Sequence, residues 1–425
     1  MPTSQKFSVN QRGAFQVLAL ILLTAGILAT LYLVKQNTSS ARPKASTPRE
    51  EHSQASLHIP VCVPQGPDTP RCHARVVTDG RGKPVTNNFP NGLGPMQLRG
   101  AYNLGNLSSG GRILAVVSAF DHPNIQSDLD TYSNSFGIPT LPACSGPISS
   151  STTACFQKLD QNGGTNYPTT NSTWALETAM DVEVAHGVCP DCKILLVEAD
   201  SNSYENLLAA IDTAVALGAT VVSNSWGSGE FSSQTSFNSH FNVTGVAFTF
   251  SSGDGGFGTS YPAASQYVTS VGGTTLYVNS DNSYGSETAW SGAGSGCSSF
   301  EAKPSFQKDT GCTMRTIADV SAVADPATGA AVYTSVPYNN LTGWFKVGGT
   351  SLASPIIAAT YALKGVPAGT YANSLPYINN PSSNLRDITS GTNGACSKKT
   401  KYLCTGTLGY DGPTGLGTPQ GANAF

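Results

Sequence analysis

The sequence predicts an α/β domain with a mostly parallel central sheet flanked by helices. Two observations carry this. Apolar runs bounded by turn signals recur at RILAVVSAF (112–120), KILLVEA (193–199), TVVSNSW (220–226), VAFTFSS (246–252) and YVTSVGG (267–273). They are continuously apolar rather than alternating, as strands covered on both faces are. Between them lie TWALETAMDVEVAHG (173–187) and YENLLAAIDTAVALG (204–218), which read as helices. Strand and helix therefore alternate as a parallel sheet requires. Ligands in such sheets gather at the carboxyl ends of the strands.

A further helix is predicted in IIAATYALK, closed by Gly365 and opened by the stretch KVGGTSLASP (346–355). That stretch reads as a strand end, a glycine turn and then Ser351 at a helix start. A serine exposed on such a turn can be a nucleophile, but its hydroxyl is weak at its free pKa and needs a base nearby.

The bulk numbers bound the classes of function. The chain has 425 residues, 12% of them charged, with a net charge of −3. Such a balance leaves no nucleic-acid footprint. Residues 14–34 are uncharged and long enough to span a bilayer. Basic residues stand on both flanks (Lys6 and Arg12; Lys35, Arg42 and Lys44), so charge barely decides orientation. Small residues at Ser39 and Ala41 also suit a weak cleavage site. Residues 1–35 are thus expected to be a signal peptide or a signal-anchor, with the body outside the cytoplasm, tethered to the membrane if uncleaved. Residues 36–60, rich in Ser, Pro, Lys and Arg, read as a disordered linker. Residues 61–96 read as a short disulfide-containing extension, and 97–425 as one domain, expected to be monomeric.

Ten cysteines fall into neighbours along the chain: Cys62 with Cys72, Cys144 with Cys155, Cys189 with Cys192, Cys297 with Cys312, and Cys396 with Cys404. In an exported protein this reads as local disulfides. The CPDC at 189–192 also has the spacing of a redox dithiol or half a zinc site, but no second CxxC or His pair accompanies it.

Which group activates Ser351? Of the six histidines, His52, His58 and His73 lie in the linker or extension, and His122 and His240 in loops. His186 ends a helix, where a histidine suits the helix dipole with no catalytic part. A better candidate lies on the same helix. Glu177 and Asp181 are four apart and share a face. Their neighbours Trp174, Ala175, Ala179, Val182 and Val184 argue against a purely solvated face. Glu183, the third acid there, is expected to be exposed. In SSGDGG (251–256) a strand runs into a glycine turn carrying Asp254, which is either a site acid or a turn residue satisfying its own backbone.

Taken together, ETAMD (177–181), SNSWG (223–227), SSGDGG, DVSAVADPATG (319–329) and GGTSLASP (348–355) resemble the sedolisin family, serine-carboxyl peptidases on a three-layer subtilisin-like fold. The resemblance covers about 97–425. It implies Ser351 as nucleophile, Glu177 as general base, Asp181 as the group orienting Glu177, and Asp254 with the Ser351 N–H as oxyanion donors. Protein or peptide substrates are expected along Ser225, Trp226 and Gly227, bound by strand addition. Chemistry agrees with this reading. A carboxylate base is matched to acid, and Asp254 stabilises an oxyanion only when protonated. The resemblance also implies one structural Ca²⁺, held by the carboxylates of Asp387 and Asp411 and the carbonyls of Ile388, Thr407 and Gly409. Two other readings remain open at this level: an inactive surface-binding module on the same fold, and a His-dependent subtilase. Two features depart from the family pattern. Only some sixty residues separate the apolar span from the domain, too few for the family's large prodomain, and a membrane span is not typical.

Overall fold

The computed structural model describes residues 57–63, 66, 69–379 and 381–425. The apolar run 14–34 and nearly all of the linker lie outside the described residues. Among the described residues, no helix is long and apolar enough to cross a membrane.

The chain begins with four short strands: β1 (His58–Pro60), β2 (Arg71–Cys72), β3 (Arg75–Val77) and β4 (Thr86–Asn87). The central sheet is built from β5 (Ile113–Ala119), β6 (Phe156–Asp160), β7 (Lys193–Ala199) and β8 (Val221–Asn224). After β9 (Trp226–Gly229), the middle strand of a separate three-stranded sheet, it continues with β10 (Ala247–Ser251). The short β11 (Ser260–Tyr261) precedes its next members, β12 (Thr269–Val278) and β13 (Tyr284–Ala289). A two-stranded pair, β14 (Gly296–Ala302) and β15 (Met314–Ile317), precedes β16 (Val320–Val323). In space the order is β13-β12-β10-β8-β5-β7-β6, with β16 also beside β12. All these pairings are parallel except β12 with β13. Strands β5 and β7 are buried along their whole length, as their unbroken apolar sequences require.

Helices cover the sheet: α1 (Pro95–Ala101), α2 (Ile125–Phe136), α3 (Ser172–Val188), α4 (Tyr204–Ala216) and α5 (Thr350–Lys364). Asn171 caps α3, its side chain accepting from the N–H groups of Thr173 and Trp174. From Trp174 to Val188 every residue of α3 is buried. Glu183, expected on a solvated face, is therefore inside. Its Oε2 accepts from the Tyr333 N–H at 3.0 Å, and burial raises its pKa well above the usual range. A second sheet covers α3 from the other side. It pairs β17 (Ala330–Tyr338) with β18 (Leu341–Gly348), and β18 with β3 and β4.

The N-terminal segments depart from the linker-and-extension expectation. His58–Pro60, assigned from composition to a disordered linker, is instead a strand paired antiparallel with Arg75–Val77. Backbone pairing supplies here what the local sequence does not signal. Strand β2 pairs with β9, which in turn pairs with β11.

The cysteine pairs expected from spacing are all disulfides. Cys62 bonds to Cys72 and ties β2 to the segment after β1. Cys144 bonds to Cys155, just before β6. Cys189 bonds to Cys192, so the CPDC is a closed bridge and not a free dithiol or a zinc site. Cys297 bonds to Cys312 across the loop between β14 and β15. Cys396 bonds to Cys404 within the C-terminal loop, and no described cysteine is free.

The stretch DVSAVADPATG has a structural part. Arg315 and Asp319 are fully buried and joined by two 2.6 Å hydrogen bonds. Asp319 also accepts from the Ser270 N–H at 2.8 Å and the Tyr377 hydroxyl at 2.7 Å. Breaking one side of such a buried pair strands the other charge, at a cost of about 3–5 kcal/mol. Asp319→Asn is expected to lower unfolding stability by about that amount in a denaturant titration; a change below about 1 kcal/mol would contradict this account of the pair.

Candidate active site

Three elements of the fold converge on Ser351. It is the second residue of α5, which follows Gly349 at φ 99°. That dihedral favours glycine, and a Cβ there would overlap the His73 carbonyl oxygen and come 2.6 Å from Asp254 Oδ2. The carboxyl end of β8 supplies Ser225. The turn after β10 supplies Asp254. Helix α3 lies against α5 and presents Glu177 and Asp181, one turn apart.

The Ser351 hydroxyl donates to the Ser225 carbonyl at 3.0 Å, and its N–H donates to the His73 carbonyl at 3.2 Å. The Ser225 hydroxyl donates to Asp181 Oδ1 at 2.7 Å. Asp181 Oδ2 and both Glu177 carboxyl oxygens are buried with no hydrogen-bond partner. Burial, then the neighbouring Asp181, raise the Glu177 pKa well above the usual carboxylate range. The Ser351 hydroxyl and the Ala74 N–H oppose this, so both lie close to the carboxyl although neither is aligned for a full hydrogen bond. Burial also pushes Asp181 up well above its ordinary range, against the Ser225 hydroxyl. The two acids titrate as one system.

Asp254 is bound on one side only. Its Oδ1 accepts from the Thr350 N–H at 2.8 Å and the Thr350 hydroxyl at 2.9 Å, while Oδ2 is buried and unpartnered. Burial raises its pKa to about 6, with Thr350, Arg75 and Arg71 pulling the other way. Because Oδ1 already accepts twice, a proton on Asp254 belongs on Oδ2, which then becomes a free donor. Beside it opens a cavity of about 330 Å³ lined by Arg71, His73, Glu230, Asp254 and Phe257.

The structure thus gathers Ser351, Glu177, Asp181, Asp254 and Ser225. Gly227 lies in the same place, its backbone paired with Arg71. Trp226 divides: its backbone pairs with Cys72, but its side chain turns into the core and donates to the Val117 carbonyl at 3.1 Å. It does not line the cleft, because the strand's alternation sends it to the sheet's buried side. Two residues went unnoticed in the sequence. Thr350, next to the serine, showed only as part of a turn. His73, set aside with the extension, enters the site through long-range strand pairing that no local pattern reveals.

His186 is buried, and burial lowers its pKa. It bonds the Pro139 carbonyl through Nε2 at 2.9 Å. His73 is likewise lowered by burial, to about 3, and its Nδ1 bonds the Ser251 hydroxyl at 2.8 Å.

Near the C-terminus, Asp411 Oδ2 accepts from the Thr407 N–H at 3.0 Å, and Asp387 Oδ2 from the Gly409 N–H at 2.7 Å. Burial raises the Asp411 pKa to about 7, and Asp387 adds to the rise. Two mutually repelling carboxylates in an oxygen-rich loop suit a hard cation.

Comparison with known proteins finds peptidases similar to this chain. The subtilase family model matches residues 163–368. Sedolisin from Pseudomonas sp. (strain 101) is 34% identical over 208 residues, which is 41% of this chain and 33% of that protein. Kumamolisin from Bacillus sp. (strain MN-32) is 33% identical over 299 residues, 61% of this chain and 52% of that protein. The matches thus span from one third to about half of these relatives. A solved Pseudomonas sedolisin, described as a serine-carboxyl proteinase complexed with two molecules of pseudo-iodotyrostatin, superposes with a TM-score of 0.64 at 25% identity. That match covers 78% of this chain and 96% of the solved one. Its subtilisin-like fold and these relatives support the resemblance of the chain to the sedolisin family.

Proposed function

We propose that this chain is an exported serine-carboxyl endopeptidase that hydrolyses peptide bonds at acid pH. The observation that carries this reading is the set of buried carboxyls around Ser351. Glu177 and Asp181 adjoin it on one side, and Asp254 presents its free oxygen on the other. The first step turns the Ser351 hydroxyl from the Ser225 carbonyl toward Glu177, which takes its proton as Oγ attacks the scissile carbonyl carbon. Asp181 shares the pair's negative charge and holds it through Ser225. The developing oxyanion receives the Ser351 N–H and the Oδ2 proton of Asp254. Glu177 then returns its proton to the leaving amine, and water releases the acyl group by the reverse sequence. Five disulfides fit a protein working outside the cytoplasm.

The rival readings fare worse. A His-dependent subtilase needs an imidazole at Ser351, but His186 faces the Pro139 carbonyl and His73 faces Ser251. An inactive binding module predicts a broken catalytic position, and none of the four is broken. For the C-terminal loop we infer one Ca²⁺ held by Asp387, Asp411 and the carbonyls of Ile388, Thr407 and Gly409. Its charge would favour the ionised form of Asp411 and tie that loop down.

Glu177→Gln is expected to lower kcat/KM on a mixed peptide library roughly 10²–10⁴-fold at acid pH. Retained activity would point to a different base, and no wild-type activity between pH 3 and 8 would favour a binding module. The Asp254 proton sets the upper pH limit. Its protonated form predominates below a pKa of about 6 and is lost as pH rises through it, so activity should fall across that value. In Asp254→Asn the amide remains a donor at every pH, so this limb should flatten, whereas Asp254→Ala should lose roughly 10²–10³-fold throughout. Chelation should lower Tm, and Asp411→Asn should abolish that calcium dependence while adding no second transition.

A further inference from the structure

Asp254 sits on a turn, residues 253–258, whose backbone is anchored on two stretches much further along the chain. The Gly253 carbonyl accepts from the Gly294 N–H at 2.8 Å, and the Gly256 N–H donates to the Gly292 carbonyl at 2.9 Å. Gly258 and Ser295 exchange N–H and carbonyl bonds of 2.8 and 3.0 Å. The Phe257 N–H donates to the Asn393 carbonyl at 2.9 Å. The fit is backbone against backbone. A Cβ on Gly294 would overlap the Ser252 carbonyl oxygen, and one on Gly256 would come 2.6 Å from the Asn393 carbonyl oxygen. One on Gly394 would come 2.7 Å from the Phe257 Cβ.

Asn393 joins these pieces. Its side chain is buried, and Nδ2 donates to the Ala293 carbonyl at 2.5 Å and to the Ser295 hydroxyl oxygen at 2.7 Å. The Ala293 carbonyl can only accept, which fixes the end of the amide that faces it. The Ser295 hydroxyl in turn donates to the Leu403 carbonyl at 2.6 Å, and the Asn393 N–H donates to the Cys404 carbonyl at 3.1 Å. One amide side chain thus holds the strip 293–295, while the carbonyl of the same residue holds Phe257. Asn393 is not among the residues that line the cavity beside Asp254, so it stands behind the turn and away from substrate.

We propose that Asn393 is a positioning residue for the oxyanion donor, setting where Asp254 Oδ2 stands relative to Ser351 by clamping the turn from behind. The proposal rests on the peptidase reading above. The side chain of Asp254 is itself held only at Oδ1, by Thr350, so the place of Oδ2 follows the place of the turn. A donor acts on a developing oxyanion only when it is already at hydrogen-bond distance, and a shift of about 1 Å can cost on the order of 10²-fold in rate. Asn393→Ala takes the donor from the Ala293 carbonyl and from Ser295, and so frees the turn to shift. Peptide bound by strand addition runs along Gly227 and not through this turn, so the loss belongs to kcat more than to KM.

The test is a double-mutant cycle on the full chain: wild type, Asn393→Ala, Asp254→Ala and the double variant. Each is read as kcat and KM at acid pH on one peptide that the wild type cleaves, with folding checked by circular dichroism at the same pH. In the wild-type background Asn393→Ala should lower kcat roughly tenfold or more, with KM within about threefold. In the Asp254→Ala background the same substitution should change kcat by less than about twofold, because the group it positions is gone. Ser295→Ala, which removes only the hydroxyl between Asn393 and Leu403, should show the same pattern with a smaller loss. It carries the cycle if Asn393→Ala does not fold. An equal loss in both backgrounds, or an unchanged kcat in folded Asn393→Ala, would overturn the positioning role and leave the peptidase reading standing. No wild-type hydrolysis between pH 3 and 8 would overturn both.

Discussion

Helix α3 has no solvent face, and it carries three acids. Burying an ionised carboxylate without a partner costs several kcal/mol, so such groups either find donors or take up a proton. Glu183 finds one donor in the Tyr333 N–H and Asp181 one in the Ser225 hydroxyl, but each keeps a buried oxygen without a partner, and burial raises both pKa values well above the ordinary range. Glu177 has no aligned donor, and burial raises its pKa well above the ordinary carboxylate range together with its partner. That constraint shapes what surrounds it. The serine must come from α5, which packs on α3, and the hydroxyl that steadies Asp181 must come from the carboxyl end of β8.

Asp254 meets the same constraint from the opposite wall. Thr350 satisfies one oxygen and the other is left without a partner, so the group favours its neutral form well into the acid range. A neutral carboxyl with a free oxygen can donate a hydrogen bond. The closeness of Asp254 to Glu177, felt as a further rise in the Glu177 pKa, ties the two walls into one electrostatic unit.

The strand edge at Trp226–Gly229 adds a second demand. Unpaired backbone groups beside a reactive serine invite another strand, and in this chain Arg71–Cys72 supplies it. The same pairing that satisfies the edge brings His73 to the serine. A segment read from composition as a mere extension is in this way a component of the site.

Continuous apolar runs already located β5, β7, β8, β10 and β12, because strands buried on both faces leave no other pattern. The four-residue spacing of Glu177 and Asp181 placed them on one side of one helix, since helical geometry is local. Cysteine neighbours in sequence proved neighbours in space, because short loops close readily. Local pattern failed wherever a long-range contact decided the outcome. Glu183 is buried because the β17–β18 sheet closes over α3, and Trp226 is buried because its strand turns that side chain inward. His73 reaches Ser351 through pairing between residues far apart in the chain. The sequence by itself determined which groups are candidates for chemistry and which helix or turn carries each. Only the tertiary structure decided which of them are dry, which are paired, and which peptide lies across the serine, because burial and strand pairing depend on what the rest of the chain packs against them.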